Sequence, residues 1–141
     1  MLISVIAPCR NEAAYVEAFV EEVFRQRLKP GDRLELLIAD GRSQDGTLEK
    51  LEALAAREAR LRLLDNPRGT TPAGLNIAIR QARGAVVVRM DLHTSYAEDY
   101  IAQCVQALQQ TGAENVGGPW RPCGEGPTGE ALSLIHISEP T

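Results

Sequence analysis

The chain has no G-x-G-x-x-G turn after its first apolar run and no G-x-x-x-x-G-K-[ST] anywhere, so neither the usual dinucleotide fingerprint nor a P-loop is present. Its three cysteines, Cys9, Cys104 and Cys123, show no C-x-x-C spacing. An odd, scattered set argues against a disulfide framework or a zinc site and suits a reducing cytosol. Met1 leads straight into Leu2-Ile3-Ser4-Val5-Ile6-Ala7 with no basic segment ahead of it, and no apolar run has the length of a signal sequence or membrane span. A cytoplasmic location is therefore expected. Positive charge is not in excess: 15 Lys and Arg face 19 Asp and Glu, a formal net charge of -4, so nucleic acid is not expected as a partner. What is present fits a soluble globular domain, with 141 residues, 44% of them hydrophobic and 24% charged, enough for a real core.

Apolar runs rich in Val, Ile and Leu recur at Leu2–Ala7, Leu34–Ala39, Leu61–Leu64 and Val86–Met90, and more weakly at Asn115–Pro119. Between them lie helical stripes: Val16, Phe19, Val20, Val23 and Phe24; Leu48, Leu51, Leu54 and Ala55; Leu75, Ala78, Ile79 and Ala82; Ile101, Cys104, Val105 and Leu108. Boundary residues agree, with Asn11 as a cap for the first helix, Thr71-Pro72 as a cap followed by proline, and Ser95-x-x-Glu98 as a capping box. Four strand–helix units in succession, with continuous rather than alternating apolar strands, predict an α/β fold. Its sheet is doubly wound, mainly parallel and covered on both faces.

Ligands of such sheets bind beyond the carboxyl ends of the strands. The first strand is followed by Pro8-Cys9-Arg10-Asn11-Glu12, the second by Asp40-Gly41-Arg42-Ser43-Gln44-Asp45-Gly46-Thr47, and the fourth by Asp91-Leu92-His93. Each has a plain structural use as helix start, turn or cap. Their joint occurrence at one edge favours a shared ligand. Carboxylate and imidazole one residue apart, as in Asp91 and His93, can share a divalent cation. Acids alone would repel a diphosphate, whereas acids holding a cation, with Arg10 and Arg68 close in the pattern, would accept one. A nucleoside diphosphate bound through a metal is the ligand expected.

The stretch from Gly117 to Gly129 is crowded with glycine and proline, and the last ten residues, Leu132 to Thr141, look like a translated sequencing-adapter end. The expected division is a domain portion at 1–131, truncated at its C-terminus, and a non-native tail at 132–141 in which His136 has no function.

Ser4 to Glu12, Ile38 to Thr47, Asn66-Pro67-Arg68-Gly69, Ala73 to Ile79 and Arg89-Met90-Asp91-Leu92-His93, in that order, resemble the N-terminal half of family 2 glycosyltransferases over nearly all of residues 2–120. The Asp-x-His form, with Tyr96, Tyr100-Ile101 and Asn115 to Pro119 after it, is most similar to the succinoglycan-biosynthesis type of exopolysaccharide enzyme. The resemblance implies a GT-A, Rossmann-like nucleotide-diphospho-sugar transferase fold. It also implies an inverting transfer of sugar from a UDP-sugar, bound through Mg2+ or Mn2+, to a glycan or lipid-linked sugar acceptor.

By the same resemblance Pro8, Arg10 and Glu12 line the nucleotide pocket, Asp40 accepts a hydrogen bond from uracil and Asp45 supports that loop. Gly74 permits close approach, and Asn76 and Arg68 border the nucleotide and its phosphates. Asp91 and His93 stand where the family carries D-x-D, with Asp91 reaching ribose or metal and His93 ligating the cation. Imidazole in place of the second carboxylate softens the site toward Mn2+. The family takes its general base, and a later Q-x-x-R-W-like acceptor segment, from farther along the chain. Glu125 and Glu130 match neither motif, so no catalytic base is assigned, the chain by itself is expected to be inactive, and any membrane attachment is expected from the absent part. Two other readings are a binding module for UDP or a UDP-sugar without chemistry, and a flavodoxin-like domain whose strand-end acids hold Mg2+.

Overall fold

The computed structural model defines residues 1–112 and the backbone of residues 119–120 and 134–135. Two compact units, Met1–Glu98 and Asp99–Thr141, make up the chain.

The first unit holds strands β1 (Leu2–Cys9), β2 (Arg33–Asp40), β3 (Leu61–Asp65) and β4 (Val86–Arg89), with helices α1 (Val16–Phe24), α2 (Thr47–Arg57) and α3 (Thr71–Gln81) between them. All neighbouring strands are parallel, in the order β3-β2-β1-β4. The expected apolar runs thus become strands, each within a residue or two of its predicted limits. On one face Ile6, Leu37, Ala39 and Leu64 form a core with Ala78 of α3, and Leu75 and Ile77 pack against it. The alternate residues Ile3, Val5, Leu36 and Ile38 are fully buried on the opposite face, where right-handed crossovers place α1 and α2. Phe19 of α1 is 1% exposed, a burial worth about 2–3 kcal/mol.

In the second unit α4 (Tyr100–Thr111) buries the stripe Ile101, Cys104 and Val105 and ends at Gly112, whose φ of 69° is the left-handed conformation of a helix stop. Two short strands, β5 (Pro119–Trp120) and β6 (Leu134–Ile135), pair antiparallel. The strand expected at Asn115–Pro119 lies outside the described residues except for Pro119. No helix among the described residues is long and apolar enough to cross a membrane. Cys9 and Cys104 are free and buried, and Cys123 lies outside the described residues.

The helix starts differ from expectation. Asn11 does not cap α1, which begins at Val16; instead Asn11 adopts φ 53° and its Oδ1 accepts the Gln44 N–H at 2.8 Å. The cap of α3 is Thr70, whose hydroxyl accepts the Ala73 N–H, so Pro72 falls at the second helical position rather than the first. Ser95-x-x-Glu98 makes no capping box, because α4 starts only after Asp99 and Glu98 is drawn into an ion pair with Arg27 at 3.1 Å. Ile79, expected on the inner stripe of α3, is 52% exposed.

Candidate nucleotide and cation site

The chain leaves β1 toward β2 on one side while β4 joins β1 on the other, so the order of strands reverses at the carboxyl ends of β1 and β4. A cleft of about 280 Å³ opens there. Of the residues predicted for the site it brings together Pro8, Arg10, Glu12, Asp91 and His93, from the exits of those two strands.

The loop after β1 owes its path to the loop after β2. The Asn11 N–H donates to Ser43 Oγ at 2.8 Å, the Glu12 N–H to Thr47 Oγ1 at 2.9 Å and the Ala13 N–H to Asp45 Oδ2 at 3.2 Å. Asp45 Oδ1 also accepts the Thr47 N–H and hydroxyl; the Thr47 hydroxyl bond is the main reason its carboxyl is held below the usual range. Asp40, 3% exposed, accepts the Ser43 hydroxyl at 2.6 Å and the Ser43 N–H at 3.0 Å. Neither Asp40 nor Asp45 lines the cleft; both hold the turn that presents Arg10 and Glu12 to it.

Close backbone approach shapes the floor. Gly69 has φ 71°, and a Cβ there would lie 2.8 Å from Arg10 Nη1, so the guanidinium rests where any other residue would intrude. A Cβ on Gly74 of α3 would meet Asn66 Nδ2 at 3.0 Å and Pro8 Cβ at 3.6 Å. Gly74 therefore sits beneath the cleft without lining it. Arg68 and Asn76 line a neighbouring groove of about 310 Å³ that shares only Asn66 with the cleft.

Asn66 is 2% exposed, and its Nδ2 donates to the Thr70 carbonyl at 2.9 Å. That carbonyl requires the amide nitrogen on its side, which turns Oδ1 away. Oδ1 is buried without a hydrogen-bond partner. An orphaned buried acceptor costs free energy unless something donates to it, which makes Asn66 a candidate contact for a ligand N–H or O–H.

Electrostatics divide the cleft. Burial, followed by the charges of Glu12, Asp40 and Asp45, pushes the Cys9 thiol up to about 12. Three carboxylates thus act on this strand end, where they would disfavour a bare diphosphate. Glu12 Oε1 lies 2.8 Å from His93 Nδ1, and Asp91 is 3.3 Å from Arg89 Nε. A carboxylate at Nδ1 orients an imidazole and leaves Nε2 as its metal-binding nitrogen. Among the described residues no three His, Cys, Asp or Glu side chains converge as a complete metal cage. The donor set fits a cation held by Asp91 and His93 that draws its other ligands from phosphate oxygens and water, as Mg2+ and Mn2+ commonly do.

The family model for glycosyl transferase family 2 matches residues 4–139. The chain belongs to that family. Family 2 membership removes the flavodoxin-like reading. Among relatives, the succinoglycan biosynthesis protein ExoA of Rhizobium meliloti is 37% identical over 114 residues, covering 79% of this chain and 34% of its own length. The glycosyltransferase AglE of Haloferax volcanii is 31% identical, covering 82% of this chain and 38% of its own. The mannosyltransferase PcManGT from Pyrobaculum calidifontis, solved in complex with GDP-Man and Mn2+, superposes with a TM-score of 0.68 at 28% identity over 87% of this chain and 35% of its own. TarS of S. aureus, solved with UDP, has the same fold, with a TM-score of 0.68 at 20% identity over 90% of this chain and 38% of its own. The parallel sheet with its helices is thus the GT-A arrangement, and this family 2 chain spans about a third of the length of the relatives it matches.

Sequence reasoning passed over Asn66 and Arg89 as lining residues, although both stood in motifs it quoted. An asparagine directly after a buried strand, with Gly74 eight residues on, was the available signal for Asn66.

Proposed function

We propose that this family 2 chain binds a nucleoside diphosphate sugar, UDP-sugar in the first instance, through a divalent cation held by Asp91 and His93. The carrying observation is the meeting of Asp91, His93 and Glu12 with Pro8 and Arg10 in one cleft at the strand-order reversal. GDP-Man and Mn2+ in PcManGT support the ligand class and the metal.

Within this reading Glu12 fixes the imidazole, Arg10 supplies positive charge on its glycine floor, and Asn66 Oδ1 takes a donor from the nucleoside. Asp40 and Asp45 act by holding the turn behind Arg10 and Glu12, and the Asp40 oxygens, each accepting one bond from Ser43, keep a further acceptor site for the base. Arg68 and Asn76 lie alongside, where phosphate or sugar would leave the cleft, and Gly74 keeps α3 close enough to seat Asn66 and Pro8. A bound cation would neutralise the charge that grows on the diphosphate as the sugar departs, a Lewis-acid effect worth several kcal/mol.

In the longer protein the reaction proposed is inverting transfer to a glycan or lipid-linked acceptor in exopolysaccharide synthesis, a reading supported by the likeness to ExoA. No general base is assigned to this chain, so donor binding is the activity ascribed to it. The domain portion is proposed to end near Ala131, with 132–141 a non-native tail.

Thermal unfolding with UDP or GDP, each with and without Mn2+, tests the proposal. At about a hundred times Kd a ligand of the native state adds about 2.7 kcal/mol and raises Tm by several degrees. The expected result is a rise with UDP that requires Mn2+. An equal or larger rise with GDP would replace the uridine assignment, and no rise with either would overturn the donor-site reading.

A further inference from the structure

Residues 91–98 have no ladder or helix of their own, so the path of this segment depends on isolated hydrogen bonds. At its start the Met90 N–H donates to the Ile6 carbonyl at 3.0 Å, the last sheet bond of that strand exit. The next amide, that of Asp91, donates to the Tyr96 hydroxyl at 2.8 Å, and the Thr94 side chain meets the same hydroxyl.

Tyr96 is itself seated on α1 and its C-terminal flank. The Tyr96 N–H donates to Glu22 Oε1 at 2.5 Å, and Gln26 Nε2 donates to the Ala97 carbonyl at 2.7 Å. The Arg27 N–H donates to the Glu98 carbonyl at 2.7 Å, and the two side chains pair at 3.1 Å. The end of α1 thus staples residues 96–98 in place, and the phenol reaches back from that anchorage to the strand exit.

We propose that Tyr96, seated on Glu22, is a positioning residue for the donor site, with its hydroxyl fixing the Asp91 backbone and so the angle at which Asp91 and His93 meet a cation and its diphosphate. The proposal rests on the donor-site reading above and adds to it a residue that lines neither cavity. A single hydrogen bond of this kind is worth about 1 kcal/mol, roughly five- to tenfold in an equilibrium constant.

Tyr96→Phe keeps the ring and removes the hydroxyl. UDP affinity with Mn2+ is expected to fall roughly five- to tenfold, with the electron paramagnetic resonance spectrum of the Mn2+–UDP complex altered. Glu22→Ala should reproduce much of the loss by freeing the anchorage, whereas Glu22→Gln keeps an acceptor for the Tyr96 N–H and should restore near wild-type binding. A general loss of packing would lower Tm and leave the Mn2+ spectrum of the bound fraction unchanged. Wild-type affinity and an unchanged spectrum in Tyr96→Phe would overturn the positioning role and leave the donor site standing. Absence of UDP binding by the folded wild-type chain would overturn both.

Discussion

The two ends of the sheet treat polar groups in opposite ways. At the amino edge, Ser4 is fully buried and Glu35 is 7% exposed, yet both are saturated. The Ser4 hydroxyl donates to Glu35 Oε1, the Gly84 N–H donates to Ser4 Oγ and the Arg83 N–H to Glu35 Oε1, each at 2.8 Å, while Arg62 stands 3.5 Å from Glu35 Oε2. This cluster pins the β4 entry to the sheet. At the carboxyl edge acids accumulate, a thiol is held protonated by burial and then by their charges, and Asn66 Oδ1 is left without a donor. Polar side chains that only hold a fold together can complete one another. Those at the cleft are incomplete in a way a ligand would repair.

The contrast can be broken from the amino edge, where the largest effect on stability is expected. A Cβ on Gly84 would lie 2.6 Å from the Ser4 backbone nitrogen and 2.8 Å from the Leu2 carbonyl oxygen, neither of which can turn aside. Gly84→Ala is expected to cost about 3 kcal/mol, read as a fall in the denaturation midpoint, with nucleotide affinity unchanged in the folded fraction. Glu35→Gln, which loses the charge facing Arg62 and places donors against donors, should cost about 2 kcal/mol by the same measurement.

At the cleft the balance should reverse. Asn66→Ala gives up the bond to the Thr70 carbonyl but also removes an unmet acceptor, so stability should change by less than about 1 kcal/mol. UDP affinity should nevertheless drop about tenfold by calorimetry. A large loss of stability with unchanged affinity would place Asn66 with the structural polar groups instead.

The smallest effect concerns pH. Burial alone would raise the Glu35 pKa, but the Arg83 N–H, the Ser4 hydroxyl and the Arg62 charge outweigh it and hold the carboxyl below its ordinary 4.5. A folded-state pKa below the unfolded value means that this contribution is complete above about pH 4.5 and is lost as pH falls through the depressed value. Acid unfolding curves of the wild type and Glu35→Gln should therefore converge below pH 4.5.

Strands were legible because parallel strands are continuous apolar runs; Leu34 to Ala39 is buried throughout, whereas β4, at the edge of the sheet, buries only Val88 and leaves Val87 42% exposed. The edge at which function would sit followed from parallel topology alone, which is why Glu12, Asp91 and His93 were named and do line one cleft. Caps were less legible because a short polar side chain has several equivalent uses. Asn11 bridges to Ser43 and Gln44, more than thirty residues away, and no local pattern selects that over a cap. Asp40 shows the same ambiguity: its position predicts a contact with the base, and its carboxylate also accepts from Ser43, three residues on. Asn66 became notable only through burial, which depends on how α3 packs.

The central claim is a cation-dependent nucleotide site at the carboxyl ends of β1 and β4, and calorimetric titration of UDP into the folded chain with and without Mn2+, repeated on Asp91→Ala, tests it most directly. The account predicts binding that requires Mn2+ and is lost in Asp91→Ala. Binding of equal strength in the variant, or binding indifferent to Mn2+, would contradict it.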